Sequence, residues 1–137
     1  MILPGTLAKA MRDQARRALP RECCGLLIGT PGRIVRMVPA PNCHTEPERF
    51  FTIDPAVQFN VLRELRGLNE EQRLIGHYHS HPAGPAAPSE RDLADANDPA
   101  LVWLLIDAKS GEIAAFEPQA DAEGKVTGFT RLTLREE

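Results

Sequence analysis

The chain has 137 residues, of which 42% are hydrophobic and 26% are charged, a balance typical of one globular domain, which we expect to span residues 1–137. A formal net charge of −3 makes nucleic acid and acidic membrane surfaces unfavourable partners. The sequence shows no signal-peptide pattern and no apolar stretch near the roughly 20 residues that span a bilayer. Its three cysteines do not resemble a disulfide framework. We therefore expect a cytoplasmic protein.

In the first half of the chain, turn residues separate two helices from three short strands. The predicted segments are 4–18 (helix), 23–28, 33–38 and 50–53 (strands) and 55–66 (helix). Thr6 is expected to cap the first helix, and Asp54, followed by proline, to cap the second. Leu68 continues the apolar face of the second helix.

In the second half of the chain, the apolar pattern alternates between strands and one helix. The predicted segments are 73–81 (strand), 82–88 (a loop with three prolines and a glycine), 89–96 (helix), and 101–106, 112–116 and 128–134 (strands). Leu74 and Ile75 indicate that the strand 73–81 is central. About six strands and three helices, with hairpins at both ends, predict an α+β fold with a mixed or mainly antiparallel sheet.

Three of the four histidines, His77, His79 and His81, occupy alternate positions of the strand 73–81. Because a strand alternates its faces, these side chains project from one side. Imidazoles two residues apart on one face can share a metal ion, and an acidic ligand is available just downstream at Asp92. Spacing alone leaves open whether His77 and His79 or His79 and His81 bind the metal, or whether the histidines form a solvated, hydrogen-bonded face.

Two further acidic or polar positions have a structural explanation as well as a functional one. Ser89 and Asp92 have the spacing of an N-cap and an acidic residue at the third helical position, and such a cap would fix the direction of Asp92. Glu22, at the entrance of the strand 23–28, would by itself be interpreted as the solvated end of that strand.

Together these residues resemble the JAMM (MPN-type) zinc metallopeptidase family, whose signature is a Glu on an early strand followed by His-x-His, seven residues, Ser, two residues and Asp. The matching residues are Glu22, His79-Ser80-His81, the loop 82–88 and Ser89-x-x-Asp92. Compact bacterial members are also similar at Pro20-x-Glu22-x-Cys24-Gly25-Leu26-Leu27-x-Gly29, Pro41-Asn42 and Phe50-x-x-Ile53-Asp54-Pro55.

The resemblance implies an MPN/JAB-like (cytidine-deaminase-like) fold and a zinc ion (Zn2+) bound by His79, His81 and Asp92, with water in the fourth place. It implies that Glu22 is the general base and that Ser89 stabilises the oxyanion. The implied activity is a zinc-dependent isopeptidase or peptidase that cleaves after the C-terminal Gly-Gly of a ubiquitin-like or sulfur-carrier β-grasp protein. The position of His77 is often aromatic in similar proteins, so its role stays open.

Two alternatives come from other functional classes. One is a non-catalytic MPN-type protein-interaction module, although such modules normally lack one or more of the ligands. The other is a relative linked to DNA repair, and the early Glu-x-Cys-Gly-Leu-Leu stretch and the acidic net charge argue against it.

Overall fold

A computed structural model describes residues 1–67 and 71–137, and this part of the chain forms eight strands and three helices. The strands are β1 (Ile2–Leu3), β2 (Cys24–Thr30), β3 (Arg33–Ala40), β4 (Arg73–His81), β5 (Val102–Asp107), β6 (Ile113–Ala120), β7 (Val126–Leu132) and β8 (Arg135–Glu136). The helices are α1 (Gly5–Ala18), α2 (Pro55–Arg66) and α3 (Glu90–Asp95).

All eight strands belong to one sheet, in the order β7-β6-β5-β4-β2-β3-β1-β8. The pairs β2–β3, β2–β4, β5–β6 and β6–β7 are antiparallel. The pairs β4–β5, β1–β3 and β1–β8 are parallel. The sheet is therefore mixed and mainly antiparallel, and β4 lies at its centre, as predicted.

The alternation of β4 separates the core from the metal-binding candidates. Tyr78 is fully buried and belongs to the core cluster beneath α1, together with Met11 and Ala15 of that helix. His79, one residue further along, pairs in register with Leu105, which belongs to a second cluster on the other face. The sheet is packed on both faces, so alternate residues of β4 face α3 and the residues between them face α1.

The start of α1 differs from the prediction. The cap is Pro4, whose carbonyl accepts from the N–H groups of Leu7 and Ala8, and Thr6 lies inside the first turn. The predicted Thr6 cap is therefore wrong, because the pairing of β1 with β3 and β8 fixes the chain immediately before Pro4. The Asp54 cap of α2 is confirmed by its side chain accepting from the N–H of Ala56 at 2.9 Å, and Leu68 lies outside the described residues.

The predicted strand 50–53 is also wrong. This segment contributes one isolated bridge, from Ile53 to Asn42. The Asn42 side chain takes the place of a neighbouring strand: its amide donates to the carbonyl of Phe50 and accepts from the N–H of Thr52.

The two-residue strands β1 and β8 were not predicted, since two residues carry no periodic signal. Within the described ranges, no helix combines the length and apolarity that crossing a lipid bilayer requires.

Gly76 offers a test of how closely β4 and β5 pack. A Cβ at this position would overlap the backbone oxygen of Val102, so we expect Gly76→Ala to lower the free energy of unfolding by about 1–3 kcal/mol. Gly128→Ala in β7 is the matched control, because a Cβ there meets nothing within 4 Å. Urea unfolding of both variants provides the comparison, and equal stability of the two would contradict the close packing.

Candidate metal centre

The end of β4 and the start of α3 bring His79, His81 and Asp92 together. Nε2 of His79 lies 3.1 Å from Oδ1 of Asp92, and Nε2 of His81 lies 3.2 Å from Oδ2. The two Nε2 atoms are 3.1 Å apart. His79 is fully buried and Asp92 is 4% exposed, so one donor atom from each side chain faces a common point that is largely shielded from water.

These distances fit a metal ion. Zinc bound tetrahedrally by two imidazole nitrogens at 2.0–2.1 Å would hold them about 3.3–3.4 Å apart, close to the spacing observed between His79 and His81. Burial lowers the pKa of His79, which favours the neutral imidazole that binds metals. Burial acts to raise the pKa of Asp92, but the hydrogen bonds with both histidines outweigh it and hold that pKa well below its usual range. The donor set is therefore two imidazole nitrogens and one carboxylate.

A capping box at the start of α3 fixes the Asp92 carboxylate. The Ser89 hydroxyl oxygen accepts from the N–H of Asp92 at 3.0 Å, and Oδ2 of Asp92 accepts from the N–H of Ser89 at 2.9 Å. The predicted cap at Ser89 is confirmed. Because Oδ2 is held by the backbone, the carboxylate is oriented toward both imidazoles before any ligand binds.

The loop 82–88 orients the ring of His81. Nδ1 of His81 lies 2.7 Å from the carbonyl oxygen of Pro85, and since a carbonyl only accepts, Nδ1 carries a proton. In the neutral ring Nε2 is then free to bind a metal, and in the protonated ring Nε2 donates to Asp92. Gly84, with φ of 66°, allows the loop to turn back. Burial acts to lower the pKa of His81, but the hydrogen bonds with Asp92 and Pro85 outweigh it and raise that pKa, so protons compete with a metal here.

Glu22 lies in the same cleft rather than at a solvated strand end. It is 7% exposed, and it lines a cavity of about 330 Å³ with His81, Ser89 and Asp92. Burial raises the pKa of Glu22 to about 7, with His81 opposing and Asp92 adding to the effect. A carboxyl group with a pKa near neutrality can both take up and return a proton.

The pairing of β2 with β4 sets the distance between Glu22 and the histidines. Cys23, next to Glu22, donates its N–H to the hydroxyl of Ser80 at 2.8 Å, and its carbonyl accepts from the N–H of Ser80 at 3.0 Å. Since Ser80 lies between His79 and His81, these bonds hold the start of β2 beside the candidate ligands.

His77 lies outside this group. Its ring centroid is 4.4 Å from that of Trp103 and 5.9 Å from that of Phe51, and it lines a neighbouring cavity of about 430 Å³. Among the described residues, its Nδ1 has no hydrogen-bond partner. Of the two histidine pairs that spacing left open, the geometry thus favours His79 and His81.

Sequence reasoning missed the aromatic wall of the cleft. The ring of Phe51 stacks on His79, with centroids 4.2 Å apart and planes inclined by 18°. Phe50 lies under the guanidinium groups of Arg91 and Arg49, at 4.5 and 5.2 Å from its centroid. Two adjacent aromatic residues directly after a polar loop are the available signal, but the same pattern also predicts a strand.

Residues 4–119 match the family described as prokaryotic homologs of the JAB domain. This chain belongs to that family, which confirms the resemblance found in its sequence. A Thermus thermophilus protein named "Probable TtuB-protein conjugate cleaving protease" is 35% identical over 96 residues, covering 70% of this chain and 63% of that protein. A "CysO-cysteine peptidase" from Mycobacterium tuberculosis is 31% identical over 129 residues, covering 93% of this chain and 86% of that protein.

Solved structures share the fold. The solution structure of a protein from Desulfitobacterium hafniense has a TM-score of 0.79 and 30% identity, covering 100% of this chain and 93% of that one. The crystal structure of a JAB1/MPN domain protein from Archaeoglobus fulgidus has a TM-score of 0.60 and 17% identity, covering 99% and 98%. The predicted MPN/JAB-like fold is confirmed.

The stability of the metal-free protein should depend on pH through His77. Burial, with a smaller contribution from His79, lowers the pKa of His77 from 6.5 to about 3. Between these values the unfolded chain binds more protons than the folded one, so stability falls as the pH drops from 6.5. We expect His77→Phe to flatten that dependence by up to about 1.4 kcal/mol per pH unit. Urea unfolding of chelator-treated protein from pH 7 to 4 measures both slopes, and identical slopes would contradict the assignment.

Proposed function

We propose that this protein is a zinc-dependent peptidase or isopeptidase whose metal is held by His79, His81 and Asp92. The observation that carries the proposal is the convergence of these three donors, of which His81 and Asp92 line the cleft that also contains Glu22. Two imidazoles and one carboxylate form a three-ligand set that suits catalytic zinc and leaves a position for water or substrate.

The chain's own residues supply the proton transfers. When bound, zinc lowers the pKa of a water molecule toward about 7 and polarises the scissile carbonyl. Glu22 takes the proton from the attacking water and returns it to the leaving amine. The oxygen of the Ser89 hydroxyl accepts from the N–H of Asp92, which leaves the hydroxyl hydrogen to donate to the developing oxyanion.

The proposed substrate is a ubiquitin-like or sulfur-carrier β-grasp protein, cleaved after its C-terminal Gly-Gly. The names of the relatives support this class, since one refers to a TtuB-protein conjugate and the other to CysO-cysteine. The cleft adds a steric argument: the rings of Phe50 and Phe51, the Pro-rich loop 82–88 and α3 line a cavity of about 330 Å³. A tail without side chains can pass through such a space with little displacement of its walls.

The alternative, a non-catalytic interaction module, is less well supported. Such a module needs no metal ligands, whereas here all three candidate ligands converge, His79 and Asp92 are buried, and a capping box orients Asp92. The two hypotheses differ in one measurable property, which is turnover of a bound β-grasp protein.

Substitution of the base and of a ligand should separate chemistry from metal binding. We expect Glu22→Gln to retain about one zinc per chain and to lose cleavage by at least about 10²-fold. His79→Gln should lose both zinc and cleavage, because it removes a buried ligand. Metal content is measured by elemental analysis, and cleavage with a β-grasp protein fused through its Gly-Gly tail to a reporter.

Wild-type protein that takes up no zinc at neutral pH, even when supplied, would overturn the catalytic proposal. Wild-type protein that binds zinc and the β-grasp protein without cutting it would support the interaction module instead. A fusion whose tail ends in Ala-Ala is the matched control for the tail requirement.

Ser89 has a structural role and a proposed catalytic role, and two variants distinguish them. Ser89→Ala removes both the cap and the oxyanion donor, so we expect a loss of about 1 kcal/mol in unfolding free energy and a fall of about 10²–10³ in kcat. Ser89→Thr keeps the hydroxyl and should retain most of both. If Ser89→Ala loses stability but keeps its kcat, the residue is a cap only.

A further inference from the structure

The side chain of Asn42 connects two parts of the chain that meet at the cleft. Its Nδ2 donates to the carbonyl of Glu22 at 3.1 Å and to that of Phe50 at 2.9 Å. Its Oδ1 accepts from the N–H groups of His44 and Thr52, both at 3.1 Å. These partners determine the orientation of the amide, since only carbonyls face one end and only N–H groups face the other.

Glu22 is held on both sides by this arrangement. Its N–H donates to the carbonyl of Pro47 at 2.8 Å, and its carbonyl accepts from Asn42. Pro47 belongs to the segment 43–52, which Asn42 itself organises; we call this segment the cleft wall. The backbone of Glu22 therefore depends on the cleft wall through one direct bond and one bond to Asn42.

The same amide fixes the aromatic part of the cleft wall. Asn42 bonds the backbone of Phe50 and of Thr52, the residues on either side of Phe51. Phe51 in turn stacks on His79. One side chain thus controls the position of both Glu22 and the ring that packs against a candidate ligand.

Apart from the bond from Glu22 to Pro47, the backbone bonds that the structure describes for the cleft wall are local. Its own backbone bonds include Cys43 to Thr52 at 2.9 Å, and Arg49 and Phe50 to Glu46 at 3.1 Å each. The bond from Cys43 to Thr52 closes the segment on itself, and the bonds to Glu46 form a local turn. None of these three connects the cleft wall to β2, and the bond from Glu22 to Pro47 would remain after loss of the Asn42 amide. That loss is therefore expected to loosen the cleft wall locally rather than unfold the protein.

We propose that Asn42 is a positioning residue for catalysis, which acts by holding Glu22 and the cleft wall against the centre formed by His79, His81 and Asp92. The inference rests on the proposed function. Among the described residues, the Asn42 side chain has no hydrogen bond to His79, His81 or Asp92, so its removal should leave metal binding intact while it displaces the base. A displacement of about 1 Å is sufficient to cost about two orders of magnitude in rate.

The test compares Asn42→Ala with Asp121→Ala. Asp121 is a matched control, because its Oδ1 accepts from the N–H groups of Glu123 and Lys125 at 3.0 and 2.9 Å in the turn between β6 and β7, and it lines neither cavity. Both variants lose side-chain-to-backbone bonds, and only one of them touches the segment beside Glu22.

Four quantities are measured at a temperature at which both variants stay folded: kcat and KM on the β-grasp fusion, zinc per chain, and hydrogen–deuterium exchange of backbone amides. For Asn42→Ala we expect kcat to fall by at least about tenfold, with zinc near one per chain and faster exchange at Glu22, His44 and Thr52. Asp121→Ala should keep wild-type kcat and exchange faster only around its own turn.

An unchanged kcat in Asn42→Ala, or unchanged exchange at Glu22 and Thr52, would overturn the inference. So would an equal loss of kcat in Asp121→Ala, because general destabilisation would then explain both. Failure of the proposed function is seen separately, in wild-type protein that binds no zinc or does not cleave the fusion.

Discussion

The buried carboxylate of Asp92 is the constraint on which the rest of the site depends. A charge removed from water must be compensated by hydrogen bonds or by opposite charge. Here the compensation comes from the two imidazoles of β4 and from the N–H of Ser89. The loop 82–88 must therefore return α3 to the end of β4, and β4 must present alternate residues on the face that α3 covers.

The opposite face of β4 supports this arrangement. Tyr78 is buried beneath α1 and donates its hydroxyl to Gln14 of that helix at 2.6 Å, while Ser80 is bonded to Cys23, the residue directly before β2. The residues that alternate with the candidate ligands along β4 thus anchor the strand and bring Glu22 within reach. Packing on one face of the sheet therefore determines where the candidate ligands and Glu22 lie on the other face.

The sequence predicted the local features of the site better than its remote ones. The strand that carries His79 and His81 follows from its alternating residue pattern, and the cap at Ser89 follows from local turn chemistry. Both depend only on residues that are close in the sequence. The location of Glu22 in the cleft could be inferred only from the family resemblance, since it depends on the register between β2 and β4. Phe50 and Phe51 were assigned to a strand because nothing local reveals that the amide of Asn42 satisfies their segment's backbone.

The shortness of α3 has a further consequence. A helix of six residues is too short to persist in water on its own, and its first turn is held by the capping box and by the histidines that face Asp92. An ion shared by β4 and α3 would act as a cross-link between the two ends of the loop 82–88. The folded chain already holds these ends together, so metal binding would cost little further loop-closure entropy. Metal binding would then further stabilise this preformed corner of the protein, by an amount that grows with the metal concentration.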